Sequence, residues 1–230
     1  ISAEQANAGV QINMIPREGS NRFGGTFALN GSTTDLQSNN LTPELVARGI
    51  PVQGKVQKLY DIGGGFGGPI MKDRLWFFAA ERWWNAENIV VGAFPNATPQ
   101  PAFGLIPMYT PDQSRPSTSG APHHNTNARL TWQMAKSQKV SFFTEIQSSC
   151  VCYRTVGSSR APEAAEHLSN PYGAINVFQG RWTYVKGSRW LFTAGHSTYL
   201  NTGRGGTVRP DETDIDAVPV RDLTTGFAWN

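Results

Sequence analysis

Apolar and polar residues alternate with a period of two along several stretches of the chain, the pattern of strands with one face in oil or core and the other in water. In Asn127 to Ala135, Leu130, Trp132 and Met134 fall on one face and Arg129, Thr131 and Gln133 on the other. Lys139 to Ser149 repeats the pattern, with Val140, Phe142 and Ile146 opposite Ser141, Glu145 and Gln147. Ala174 to Val185 and Arg189 to Leu200 form a further pair, and Arg22 to Ser32 and a short Val10–Met14 alternation precede them. The most distinctive pair is Tyr60 to Ile70, rich in glycine, and Arg74 to Trp84, rich in aromatic residues. Met71-Lys72-Asp73 between them is short enough to require an antiparallel hairpin. Thr42 as N-cap, Pro43 at the first helical position and Gly49 as terminator predict a helical turn or two. Leu223 to Trp229 is expected to begin one more strand.

The connections sort by length. Those at 71–73, 136–138 and 186–188 are short, and those at 33–55, 87–122, 150–170 and 201–222 are long. Seven prolines between Pro95 and Pro122 rule out a continuous central strand there. If the strands run up and down in order, every short turn lies at one end and every long loop at the other. That is the arrangement of bacterial membrane barrels, with short periplasmic turns and long outer loops. A Greek-key sandwich has no reason to sort its loops so. Trp76, Phe77, Trp132, Trp182, Tyr184, Trp190 and Phe192 sit within a few residues of the short turns, where an interfacial aromatic girdle would lie.

Composition agrees with short strands and turns: 230 residues hold 24 Gly and 15 Pro, with 11% aromatic residues. The net charge of +3 brings no run of five like charges and no basic-aromatic stripe, so nucleic acid is not an expected partner. No stretch reaches the 18 or so apolar residues of a spanning helix. The mean hydropathy of −0.37 is no obstacle to a barrel, half of whose strand positions face water. The opening at Ile1 without a signal peptide and the abrupt end at Asn230 read as a fragment.

Two segments, GVQINMIPREGSNRFGGTF from Gly9 and GGGFGGPIMKDRLWFF from Gly63, together resemble TonB-dependent outer-membrane transporters of the Oar-like branch. The resemblance covers about the first third of the chain. It implies that residues 1–17 end a plug domain and residues 18–230 begin an antiparallel transmembrane β-barrel of which about seven or eight strands are present. It also implies uptake of a ligand across the bacterial outer membrane, driven by the TonB–ExbB–ExbD complex acting on an upstream segment. Outer-membrane lipid is the other partner, and no cofactor and no catalysis are expected. The resemblance carries no single substrate class; peptide, siderophore and glycan stay open.

Candidate chemistry is sparse. Gly63-x-Gly65-x-x-Gly68 satisfies the dinucleotide fingerprint as a string, but Pro69 and a strand follow where that motif needs a helix N-terminus. Cys150 and Cys152, at the expected start of a long loop, are a disulfide candidate in an oxidising compartment; a metal pair is the alternative, with His123, His124 and His167 at no ligand-like spacing. In a straight strand their α-carbons would be about 6.5–7 Å apart, at the upper limit for a disulfide. Asp211, Glu212, Asp214 and Asp216 make an acidic loop without the glycine and glutamate of an EF-hand. His123-His124 is expected to be exposed. Ligand contact is assigned to aromatic residues at or beyond the outer strand ends: Trp83, Trp84, Phe94, Phe103, Tyr109 and Tyr153, with packing inside the loops as the competing role. Two other functions fit the composition: a soluble β-sandwich that binds carbohydrate, and a small complete barrel with a structural or adhesive role.

Overall fold

The computed structural model describes residues 17–50, 53–97, 108–202, 204–207 and 220–229. The expected Val10–Met14 strand, Phe103 and the acidic cluster at Asp211–Asp216 lie outside them. The elements are β1 (Gly24–Thr33), α1 (Pro43–Ala47), β2 (Val56–Met71), β3 (Leu75–Ile89), β4 (Thr118–Gly120), β5 (His123–Ala135), β6 (Gln138–Arg154), β7 (Glu166–Lys186), β8 (Trp190–Asn201), β9 (Arg204–Thr207), β10 (Val220–Arg221) and β11 (Ala228–Trp229). The first nine strands form one sheet, in which β1, β2, β3, β5, β6, β7 and β8 pair antiparallel, each with the next. The protein is all-β and barrel-like, as the alternation predicts. Thr42 caps α1, its hydroxyl accepting the Leu45 N–H at 3.4 Å, with Pro43 in the first turn.

Several boundaries differ from those expected: β2 begins at Val56, ahead of Tyr60, and β3 runs past Trp84 to Ile89. β6 runs on through Cys150 and Cys152 to Arg154, and β7 begins at Glu166, so the loop between them is half as long as its polar composition suggests. Mutual ladder hydrogen bonds hold the extra residues, as in Cys150 opposite Ser169. Leu223 to Trp229 is not one strand. Val220 and Arg221 pair with Trp229 and Ala228 around a turn in which the Asp222 carboxylate accepts the Thr224 N–H at 2.7 Å.

Because side chains alternate along a strand, register partners share a face. Phe66, Ala79, Ala128, Thr144 and Phe178 are partners in turn across β2, β3, β5, β6 and β7. The face they define also carries Phe27, Ile62, Phe77, Leu130 and Phe142. The opposite face carries Asn30, Asp61, Arg82, Arg129, Glu145 and Arg181. The apolar face is the uncovered one: Phe27 is 74% and Phe142 56% exposed. Buried hydrophobic residues among those described are Ala93, Phe94, Ala161, Ala165 and Ala174, all at the long-loop end. A sandwich would bury one whole face of its sheets, and this sheet buries neither.

The glycine run of β2 has a steric cause on each face. A Cβ on Gly65 would come within 2.8 Å of the Phe78 ring, and one on Gly67 would meet Phe78 at 2.8 Å and the Phe77 carbonyl at 2.7 Å. On the apolar face Phe23 lies over Gly68 and stacks on Phe66 at 5.8 Å, with Phe77 5.9 Å from Phe66. The glycines let three large rings pack close to the backbone near the short turn. At the same end Trp182, Tyr184, Phe192 and Trp190 form a continuous ring series at 5.9, 6.0 and 6.4 Å. Trp76 does not belong with them. Its register places it on the polar face, where its indole N–H donates to Asn21 at 2.7 Å.

Candidate functional site: the polar face and the loop cap

Residues 17–22 lie across the polar face. Glu18 accepts from the Arg129 guanidinium at 2.5 Å and from the Lys139 ammonium at 2.8 Å. Arg17 sits 5.5 Å over the Phe78 ring. Asn21 and Asp73 exchange two hydrogen bonds, the Asp73 N–H donating at 2.8 Å and the Asn21 amide at 2.5 Å. Asp73 itself has φ 64, a left-handed conformation that Asp tolerates in a tight turn. The segment leading into β1 is thus fastened to β3, β5, β6 and the first short turn, all from the same side.

Farther along that face, towards the long loops, polar side chains line a groove of about 560 Å³ whose floor includes Gly63 and Gly65. Asp61 and Arg82 form a two-pronged ion pair at 2.8 and 2.7 Å. Arg82 lies 4.8 Å over the Trp84 ring, and Trp84 stacks on His123 at 4.7 Å. Next to them the Asn125 amide donates to Glu145 at 2.7 Å, Asn127 donates to Asn125 at 3.2 Å, and Gln147 also bonds Glu145. A fixed guanidinium, an indole ring and a row of amides and carboxylates suit a polar, hydrogen-bonding ligand. No three His, Cys, Asp or Glu among the described residues could share a metal ion.

Beyond the strands the long connections meet in a cap. The Tyr109 hydroxyl donates to the Phe94 carbonyl at 2.9 Å, and its ring lies 4.5 Å from Phe227. The Asn96 N–H donates to Glu163 at 2.6 Å. Ala161 and Ala228 bridge the third long loop and β11, with the Ala161 N–H donating to the Ala228 carbonyl at 2.9 Å. Burial pushes the Glu163 carboxyl above its usual range; burial, reinforced by Glu163, does the same to the Tyr109 phenol.

The residues expected to touch ligand separate into different places. Trp84 lies on the polar face beside the groove. Trp83, one residue away, is on the apolar face, stacked on His124 at 4.8 Å. Tyr109 joins the cap, and Phe94 is enclosed there at 6% exposure. Tyr153 is half-buried after Cys152, at φ 53. Cys150 and Cys152 are joined in a disulfide with α-carbons 5.2 Å apart, closer than a straight strand allows, and the β6–β7 register slips beside them between Val151 and Arg154. His123 and His124 are half-buried, each against a tryptophan, where exposure was expected. Asp61, Arg82, Asn125, Asn127, Glu145 and Gln147 were not singled out from sequence. Their signal was the polar half of the alternation itself, Asn125-x-Asn127-x-Arg129 and Glu145-x-Gln147.

No family model matches the chain, and no solved structure matches it. Over 73 residues it is 38% identical to the TonB-dependent transporter Oar of Myxococcus xanthus, a stretch covering 32% of this chain and 7% of that protein. The chain is therefore similar, over that part of its length, to a TonB-dependent transporter.

Proposed function

We propose that this chain is part of the wall of a TonB-dependent outer-membrane transporter, non-catalytic, whose apolar face meets lipid and whose polar face lines the lumen. The observation that carries this reading is the position of residues 17–22. They engage the polar face, through Glu18, Arg129 and Lys139, while Phe27, Phe66, Phe142 and Phe178 of the other face stay exposed. A plug entering a barrel must leave its last residues on the lumenal side. The sorted loop lengths and the rings at the short turns agree with membrane interfaces. Residues 1–17 then end the plug, and energy reaches it from the TonB–ExbB–ExbD complex.

In this reading the cap formed by the long loops meets the ligand first. The groove at Asp61, Arg82, Trp84 and Asn125 receives it when the plug moves. The transported ligand is polar and rich in hydrogen-bonding groups, matching the groove's amides and carboxylates. Cell fractionation with gel mobility before and after boiling tests the reading. Outer-membrane recovery with a mobility shift on boiling is expected; recovery in the soluble fraction would overturn it.

A further inference from the structure

The apolar face carries one carboxylate among its described positions between the first short turn and Trp83: Glu81. Six residues above Leu75, it stands about 15 Å from the short-turn end for strands tilted about 40°, two residues below Trp83 and linked through His124 to Trp83 and Tyr172, the rings at the outer edge of the apolar face. An ionisable group at such a depth is costly unless it has partners, and marks function more often than structure. Glu81 Oε1 is bonded by the His124 imidazole and by the Thr126 hydroxyl, the latter at 2.9 Å. The Tyr172 hydroxyl donates in turn to Thr126 at 2.6 Å. The His124 ring is stacked with both Trp83, at 4.8 Å, and Tyr172, at 4.6 Å. Donors are used up on one oxygen of the carboxylate. Its Oε2 and the Tyr172 phenolic oxygen remain as acceptors, and Trp83 and Tyr172 are 43% and 51% exposed.

A groove of about 560 Å³ runs from Glu81 and Thr126 over Gly64 and Ala79, with Phe27 and Phe66 as walls. It exists because glycine and alanine occupy positions where neighbouring rows carry phenylalanine. An apolar trough that ends in an anionic, acceptor-only, aromatic-flanked site has the form of an amphiphile: a chain in the trough and a cationic donor at the end. A primary ammonium offers three N–H donors and a positive charge, matching the carboxylate and the exposed rings.

We propose that this trough binds a membrane lipid with a primary ammonium headgroup, which Glu81, Tyr172 and Trp83 recognise. The proposal rests on the reading that the apolar face meets the bilayer. Flotation of the protein reconstituted in vesicles tests that reading separately, since a protein that does not float with lipid overturns both. In vesicles of equal choline and ethanolamine phospholipid, native mass spectrometry reads which lipid stays bound. Retention of the ethanolamine lipid about fivefold over the choline lipid is expected, a ratio within the reach of the N–H hydrogen bonds to Glu81 and Tyr172 that a primary ammonium makes and a quaternary one cannot. Glu81→Gln should bring the ratio to one while leaving flotation unchanged, and Tyr172→Phe should lower it partly. Equal retention by the unaltered protein, or a preference that survives Glu81→Gln, would overturn the proposal. An N-acetylated ethanolamine lipid, which keeps the chains and loses the charge, should bind no better than the choline lipid; equal binding to the free amine would contradict the ammonium assignment.

Discussion

Glu18 and Arg129 lie 111 residues apart and meet through a 2.5 Å ion pair on the polar face. Arg129 is 13% exposed and Glu18 38%, so the pair is only partly screened by water, and Lys139 holds the second carboxylate oxygen. This contact ties the chain entering β1 to β5 and β6, and makes it a latch that must open if the preceding segment is drawn away from the wall.

A double-mutant cycle on Glu18→Gln and Arg129→Met should give a coupling of about 1 kcal/mol in urea unfolding from detergent micelles, at the upper end for exposed pairs. A coupling near zero would show that the latch holds nothing.

Gly65→Leu should destabilise the sheet by roughly 1–3 kcal/mol, the usual cost of overpacking, because its side chain would enter the space of Phe78. Combined with Phe78→Ala, the same leucine should be better tolerated than alone. Loss of the boiling-sensitive band in the single variant and its recovery in the double variant would establish the pairing.

The loop cap should respond to pH in two separate windows. Burial raises the Glu163 pKa above the usual 4.5 of a glutamate, so its contribution is full below that pH and is lost as pH rises through the folded-state value. Asp112 is held low by the Ser114 hydroxyl and by Arg115, so its contribution is present above 3.8 and lost as pH falls. Limited proteolysis of the cap should therefore quicken as pH rises above about 4.5, and Glu163→Gln should abolish that rise. An unchanged profile in the variant would contradict the assignment.

Reduction of Cys150–Cys152 should cost little. A bridge with a separation of two residues removes about 1.5 kcal/mol of chain entropy from the unfolded state on the loop-closure formula. Heat resistance should stay near that of the oxidised protein, while cleavage near Tyr153, at the slipped β6–β7 register, should increase. A collapse of heat resistance on reduction would place the bridge at the heart of the fold instead of its outer end.

Much of the fold was legible because a period of two is a direct imprint of a sheet with unlike faces, as Leu130, Trp132 and Met134 against Arg129, Thr131 and Gln133 demonstrate. The short turns were legible from spacing alone. The outer ends were not, because Cys150 to Arg154 and Glu166 to Asn170 show no sustained alternation, and their strand state comes from mutual pairing, a long-range fact. The groove was missed for a related reason: Asp61, Arg82 and Asn125 come from three strands and become neighbours only through register. Nearness to a turn does not say which face a residue takes, so Trp76, expected among the interfacial rings, lies on the polar face instead.

The most direct measurement concerns the two faces. In a Cys150→Ser/Cys152→Ser background, single cysteines replace Ser141 and its neighbour Phe142, adjacent in β6 and on opposite faces. The protein is placed in vesicles and exposed in parallel to a water-soluble and a lipid-soluble thiol reagent. Position 142 should react from the lipid phase and be shielded from the aqueous reagent, with position 141 showing the reverse. Aqueous labelling at both positions would contradict a lipid-facing wall.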